Sequence, residues 1–159
     1  MNQYGFAAGD PVNFGDPFGL CYDKIRKVAR PCVVLWSGGD INTTITAEMR
    51  EVIQDIADEA NLDLLLTSGR REGSCEESLH NCGRAVDIGL INDVRVGTGS
   101  DPNPRAARFV SRLQEVLRHD PRVRENFGPA GLWKASKLGR AQAVLSNKKL
   151  QEDHNDHVH

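Results

Sequence analysis

The sequence lacks four things, and each absence bears on the class of protein. No apolar run approaches the ~20 residues that a membrane-spanning helix requires. No Cys-x-x-Cys pair occurs among Cys21, Cys32, Cys75 and Cys82, so the usual spacing of a structural zinc site is missing. There is no basic excess either. The net charge is −2 and the arginines are scattered, whereas nucleic-acid binding draws on clustered positive charge. Met1 to Gly9 also lack the charged and apolar regions of a signal peptide. Export is therefore expected to depend on something other than these residues.

What is present is a chain of 159 residues, enough for one domain with a core of useful size. Its 39% hydrophobic and 26% charged content is that of a soluble globular protein. The four cysteines fit two states: four free thiols, or two short-loop disulfides, Cys21–Cys32 and Cys75–Cys82, made in an oxidising compartment.

Local patterning predicts the elements. Residues 1–20 are rich in Gly, Pro, Asn and Asp and read as turns and extended pieces. Cys32–Trp36 reads as a strand ended by Ser37-Gly38-Gly39-Asp40. Thr46 is placed to cap a helix through about Ala60, with Met49, Val52, Ile53, Ile56, Ala57 and Ala60 on one face and Asn61 as the stop. Leu64–Thr67 is a short buried strand that runs into Ser68-Gly69-Arg70-Arg71. Ala85–Ile91 alternates: Val86, Ile88 and Leu90 fall on one side, and Ala85, Asp87, Gly89 and Ile91 on the other. A second helix is expected from Pro104 to about Arg118, with Phe109, Val110, Leu113, Val116 and Leu117 on its stripe and His119 capping its end. Residues 121–150 read as an irregular connection around Phe127-Gly128-Pro129 and Gly131, with Ala135–Lys149 partly helical. The expected fold is α+β: a small mixed or antiparallel sheet carrying a zinc site, with two to three helices packed around it.

The chain has five histidines, and four of them stand in two short segments. One segment runs from Ser78 to Asp87 and contains His80. The other is the final six residues, with His154, His157 and His159. Histidine is the commonest metal ligand and carries protons near neutral pH. On a strand His157 and His159 would face the same way, with Val158 turned to the core and Asp156 turned away unless the strand begins after it. Gly83 offers a turn between His80 and Asp87. Two nitrogens and one oxygen with a fourth position open describe a catalytic zinc site, since a structural site supplies four protein ligands. Such a site lowers the pKa of its water toward about 7. A carboxylate or imidazole must still move the proton, and Asp156, His157 and His154 are the candidates. An arginine, Arg70 or Arg71, could stabilise the oxyanion.

Two resemblances follow from these residues. Pro11-Val12-Asn13 with Asp16-Pro17-Phe18-Gly19-Leu20 resembles the end of the Rhs repeat-associated core, whose shell encloses a C-terminal toxin and is cleaved after the leucine. This implies a junction at Leu20–Cys21, with residues 1–20 as linker and 21–159 as the toxin domain. Ser78-x-His80-x-x-Gly83-x-Ala85-x-Asp87, with Ser68-Gly69-x-Arg71 before it and His157-x-His159 after it, resembles the zinc D-alanyl-D-alanine peptidase family. That family is grouped with lysostaphin-type peptidases and the hedgehog domain.

The second resemblance implies zinc held by His80, Asp87 and His159, with Arg71 on substrate or oxyanion. Asp156 matches the carboxylate that the carboxypeptidase branch places three residues before its last ligand. His154, His157 and His159 also match the pattern of the murein endopeptidase branch, so the base is open between them, with Asp156 favoured and His157 as hydrogen-bond donor. An aromatic residue is usual where Arg70 stands.

The function these resemblances imply is hydrolysis of peptidoglycan stem peptides by a secreted antibacterial effector in a competitor's periplasm. Its partners would be an Rhs shell with its secretion machinery and a cognate immunity protein. Blander readings stand beside this one. Arg70 and Arg71 could be a solvated pair, and the terminal histidines a metal-binding tail. Cys82 could be a fourth ligand, though the family pattern needs none. The alternative functions are a metal-dependent nuclease toxin, since Asp153-His154-Asn155 is faintly similar to a His-Asn-His site, and a zinc-bearing cell-wall module without catalysis. His159 is the last residue here, so a ligand at that position is expected to be pinned by the metal or followed by further residues.

Overall fold

The computed structural model describes residues 20–23, 28–37 and 45–159. The Rhs-like leader before Leu20 and the break at Gly38-Gly39-Asp40 lie outside the described residues. Among the described residues the fold is α+β, with small sheets and three α-helices.

β1 (Leu20–Asp23) and β2 (Val28–Pro31) form an antiparallel hairpin. Cys21 and Cys32 are joined in a disulfide and both are buried. Cys75 and Cys82 are free thiols. Of the two cysteine states the sequence allows, the structure therefore holds one bridge and one unbridged pair.

The central sheet has the order β3-β4-β5-β6: β3 (Val34–Trp36), β4 (Leu64–Ser68), β5 (Asp87–Ile91) and β6 (Val94–Arg95). β3 and β4 are parallel, so their connection must cross over. The crossover is α1 (Ala47–Ala60). Its ends follow the expected chemistry. The Thr46 hydroxyl accepts the Met49 N–H at 3.2 Å, and Asn61 closes the helix in the left-handed region at φ 58°. Ile53, Ile56, Ala57 and Ala60 are buried, with Met49 and Val52 packed alongside.

β5 differs from simple alternation. Ile91 is fully buried and Leu90 is only partly so, because the register against β4 shifts at Leu65/Leu66 and again at Leu66/Ser68. Both faces of the strand are covered as well, so burial does not report its sidedness.

α2 spans Ala107–His119, starting three residues later than expected, and Pro104 lies in the turn before it. Its buried stripe includes Val110, Leu113, Val116 and Leu117. The His119 ring Nδ1 lies 2.8 Å from the Glu115 carbonyl oxygen at the helix end.

β7 (Gly97–Thr98) and β8 (Asp101–Pro102) form a short antiparallel hairpin. The largest departure lies in residues 121–150. They form β9 (Glu125–Gly128), β10 (Gly131–Lys134) and β11 (Ala143–Val144), with the helical turn α3 confined to Lys148–Glu152. The support for this hairpin comes from elsewhere in the chain. Buried Gln114 of α2 donates to Asn126 Oδ1 at 2.9 Å and to the Gly131 carbonyl at 3.0 Å, and its Oε1 accepts the Ala130 N–H at 2.9 Å. Asn126 donates in return to the Gln114 carbonyl at 2.8 Å. A buried amide network of this kind satisfies groups that would otherwise be costly to bury.

The final residues join the two main sheets. Ile88 and Val158 exchange both backbone hydrogen bonds, at 2.8 and 3.0 Å. His159 and Phe127 do the same, at 2.7 and 3.1 Å. Val158 is fully buried. Instead of a strand, the segment is a two-residue stitch between β5 and β9.

Candidate metal centre

Residues 78–83 build the first half of the site. Leu79–Cys82 is a single 3-10 turn, capped by the Ser78 hydroxyl accepting the His80 N–H at 3.3 Å. Gly83 ends the turn at φ 69°, which favours glycine. Its carbonyl accepts the Thr46 N–H at 3.0 Å, which ties the turn to the start of α1. His80 is consequently held almost completely out of solvent, at 3% exposure.

The His80 ring is oriented by the Gly69 carbonyl, which lies 2.7 Å from Nδ1 and takes its proton. In the neutral ring Nε2 then presents a lone pair. That atom is 3.2 Å from Asp87 Oδ1 and 3.2 Å from His159 Nδ1. His159 Nδ1 is in turn 3.1 Å from Asp87 Oδ1. The three donor atoms form a near-equilateral triangle. For comparison, the ligand–ligand edge around a tetrahedral zinc with bonds of about 2.0–2.1 Å is roughly 3.3–3.4 Å. Lone pairs converging in a buried place also repel unless a cation or protons stand between them. By donor type, spacing and electrostatics, His80, Asp87 and His159 fit a divalent metal such as zinc.

The surroundings of Asp87 point the same way. Burial pushes its carboxyl up, but wherever the His159 and His80 rings carry a proton toward it, their hydrogen bonds and charge hold it well below the usual carboxylate range. Its second oxygen, Oδ2, accepts from Arg71 Nη2 at 2.6 Å. Arg71 also donates to the Ser68 hydroxyl at 2.9 and 3.0 Å. The structure thus places Arg71 on a ligand carboxylate, with its side chain 55% exposed. Arg70 is exposed and has no comparable contact among the described residues.

The other two histidines of the final segment stand beside the triad. His157 Nδ1 is 2.7 Å from Asp156 Oδ1, and its Nε2 is 3.6 Å from Asp87 Oδ1. Asp156, expected to face away on a regular strand, stands beside the site because the segment pairs only at Val158 and His159. His154 Nδ1 meets the Leu150 carbonyl at 2.8 Å, and its ring lies 4.9 Å from that of His157. Burial pushes the His154 imidazole down, and the charges of His157 and His159 push in the same direction.

Two neighbours of His159 escaped sequence reasoning because they lie on the hairpin. Phe127 stacks on the ring, with centroids 5.7 Å apart and planes 18° from parallel. Glu125 Oε2 is 3.8 Å from His159 Nε2 and is itself paired with Lys134. A carboxylate behind a ligating imidazole raises its basicity. Glu125 and Lys134 face each other across β9 and β10, but only with the strands known does that spacing carry meaning.

A cleft of about 280 Å³ opens beside the triad, lined by Thr67, Asp87, Gly89, Arg95, Gly97, Thr98, Gly99, Asp156 and His157. A second group with ligand-type atoms close together is Cys21, Cys32 and Asp63. Its two sulfurs are bonded to each other, and Asp63 is paired with Arg30. Cys82 donates to the Leu79 carbonyl and takes no part in the triad.

Among the described residues no helix is long and apolar enough to cross a membrane. Comparison of the chain with protein-family models, with curated proteins and with solved structures finds no match in any of the three.

Proposed function

We propose that the chain is a zinc-dependent hydrolase of peptidoglycan stem peptides, carried as the tip of an Rhs toxin into a competitor's periplasm. The observation that carries this reading is the meeting of His80 Nε2, Asp87 Oδ1 and His159 Nδ1 within 3.2 Å of one another. They are the three positions that the D-alanyl-D-alanine peptidase motif assigns to zinc. The Cys21–Cys32 disulfide agrees with an oxidising destination.

When bound, zinc supplies Lewis acidity, activating water near neutral pH and polarising a carbonyl. The chain's own groups do the rest. Arg71 and the Gly69 carbonyl hold Asp87 and His80 in place. Asp156 accepts the Nδ1 proton of His157, which leaves Nε2 as the lone pair on the side of the triad and the cleft. This supports His157 as the group that takes a proton from water and returns it to the leaving amine, with Asp156 setting its tautomer. Once protonated, His157 donates to the developing oxyanion. The cleft provides room for a peptide next to these groups.

Digesting purified muropeptides with the zinc-loaded protein and weighing the products tests the reading. A mass loss of one residue, or scission of a cross-link, is expected, and His80→Ala and Asp87→Ala should abolish it. Zinc binding without any mass change would replace the hydrolase with a non-catalytic cell-wall module.

A further inference from the structure

The cleft beside the triad contains one arginine, Arg95, and no lysine. Its backbone is fixed: β6 pairs it with Leu90, and its carbonyl accepts Asn103 Nδ2 at 2.7 Å. Arg30, Arg71, Arg118 and Arg122 each reach a carboxylate, whereas among the described residues Arg95 has no ion-pair partner. The two acids in the same cleft are already engaged, Asp87 by Arg71 at 2.6 Å and Asp156 by His157 at 2.7 Å. Two glycines let the cleft walls pack closely together. A Cβ at Gly97 would come within 2.3 Å of the Asn155 carbonyl, and one at Gly89 within 2.4 Å of the Thr67 side chain. The result is a narrow polar cleft with an uncommitted guanidinium and two acids already held in hydrogen bonds.

We infer that Arg95 anchors a free carboxylate of the peptide lying in this cleft, so the site selects anionic peptides over neutral ones. A guanidinium holds a carboxylate through charge-assisted, often bidentate, hydrogen bonds. The inference rests on the peptidase reading for the choice of a peptide as ligand. The carboxylate has two sources in a stem peptide, the C-terminus and a D-glutamyl side chain, and they present the same chemistry to Arg95.

Calorimetric titration of the zinc-loaded protein separates them with three probes. These are acetylated lysyl-D-alanyl-D-alanine, its C-terminal amide, and a C-terminally amidated D-glutamyl peptide. One or both carboxylate-bearing probes should bind at least about tenfold more tightly than the neutral amide, as charge-assisted hydrogen bonds imply. The probe that shows the preference identifies the source. Arg95→Gln should erase the preference without changing binding of the neutral amide or zinc stoichiometry, and Arg95→Lys should restore part of it. Equal binding of all three, a preference that survives in Arg95→Gln, or no binding of any probe overturns the inference. Tight binding without hydrolysis would overturn the peptidase reading alone. Hydrolysis without any carboxylate preference would overturn the anchor alone.

Discussion

Ile88 and Val158 exchange both of their backbone hydrogen bonds, although they stand 70 positions apart in the sequence. Their neighbours in the chain are Asp87 on one side and His157 and His159 on the other. The pair therefore brings the two candidate metal-binding segments together, and it does so with main-chain groups and one buried valine.

Shortening that valine should loosen the fold and the centre together. Val158→Ala removes two buried methyl groups and is expected to cost about 2 kcal/mol. Zinc affinity should fall in parallel, because the same stitch carries His159. Urea denaturation with and without zinc, alongside a chelator competition, reads both quantities. A stability loss with unchanged zinc affinity would show that the stitch does not hold the site.

Zinc itself should bind at one equivalent and stabilise the fold. Free zinc at about 100 times the dissociation constant adds about 2.7 kcal/mol by mass action. His80→Ala, Asp87→Ala and His159→Ala should each remove stoichiometric binding. His119→Ala, at an exposed helix end, should not. Binding should weaken on acidification, because ligating imidazoles must be neutral. Elemental analysis after gel filtration at several pH values decides this, and retention of zinc in the triad variants would refute the assignment.

Arg71 is expected to act through Asp87. Arg71→Ala should lower zinc affinity about 10- to 100-fold, the range seen when partners of ligands are lost. A variant with intact zinc affinity and impaired turnover would place Arg71 on substrate instead.

Away from the site, Asp120 should set part of the acid sensitivity. The Arg122 side chain and backbone N–H hold its carboxyl below the ordinary value, against a smaller opposing effect of burial. A depressed folded-state pKa gives stability that is present above the unfolded value of about 3.9 and lost as pH falls through the folded one. The contribution is under about 1 kcal/mol after solvent screening. Asp120→Asn should be less stable than the parent at pH 7 and lose less on acidification, as followed by thermal melts between pH 7 and 3. An unchanged slope would count against it.

Some of this was legible in one dimension and some was not. Thr46, Asn61 and the apolar face between them define α1 because caps and helical periodicity are local, and the same holds for the stripe of α2 and for Leu64–Thr67. The ten residues from Ser78 to Asp87 announce a ligand pair because a 3-10 turn closed by glycine acts over a few residues. The hairpin at Glu125–Lys134 was not readable. Its polar, glycine-containing strands are held by Gln114 and by His159, which are remote in sequence. The roles of Arg95 and Glu125 depend on which side chains face them across the fold.

By itself, then, the sequence determined the candidate ligand types, the capped helix α1, the apolar stripe of α2 and the buried strands, since each follows from residues within a turn or two of one another. Only the tertiary structure decided that His80, Asp87 and His159 meet at 3.1–3.2 Å, that Arg71 grips Asp87, and that Asp156 backs His157. Those contacts depend on backbone pairing between Ile88 and Val158 and between Phe127 and His159. Every main chain carries the groups for such pairing, so the residue types do not reveal where it forms.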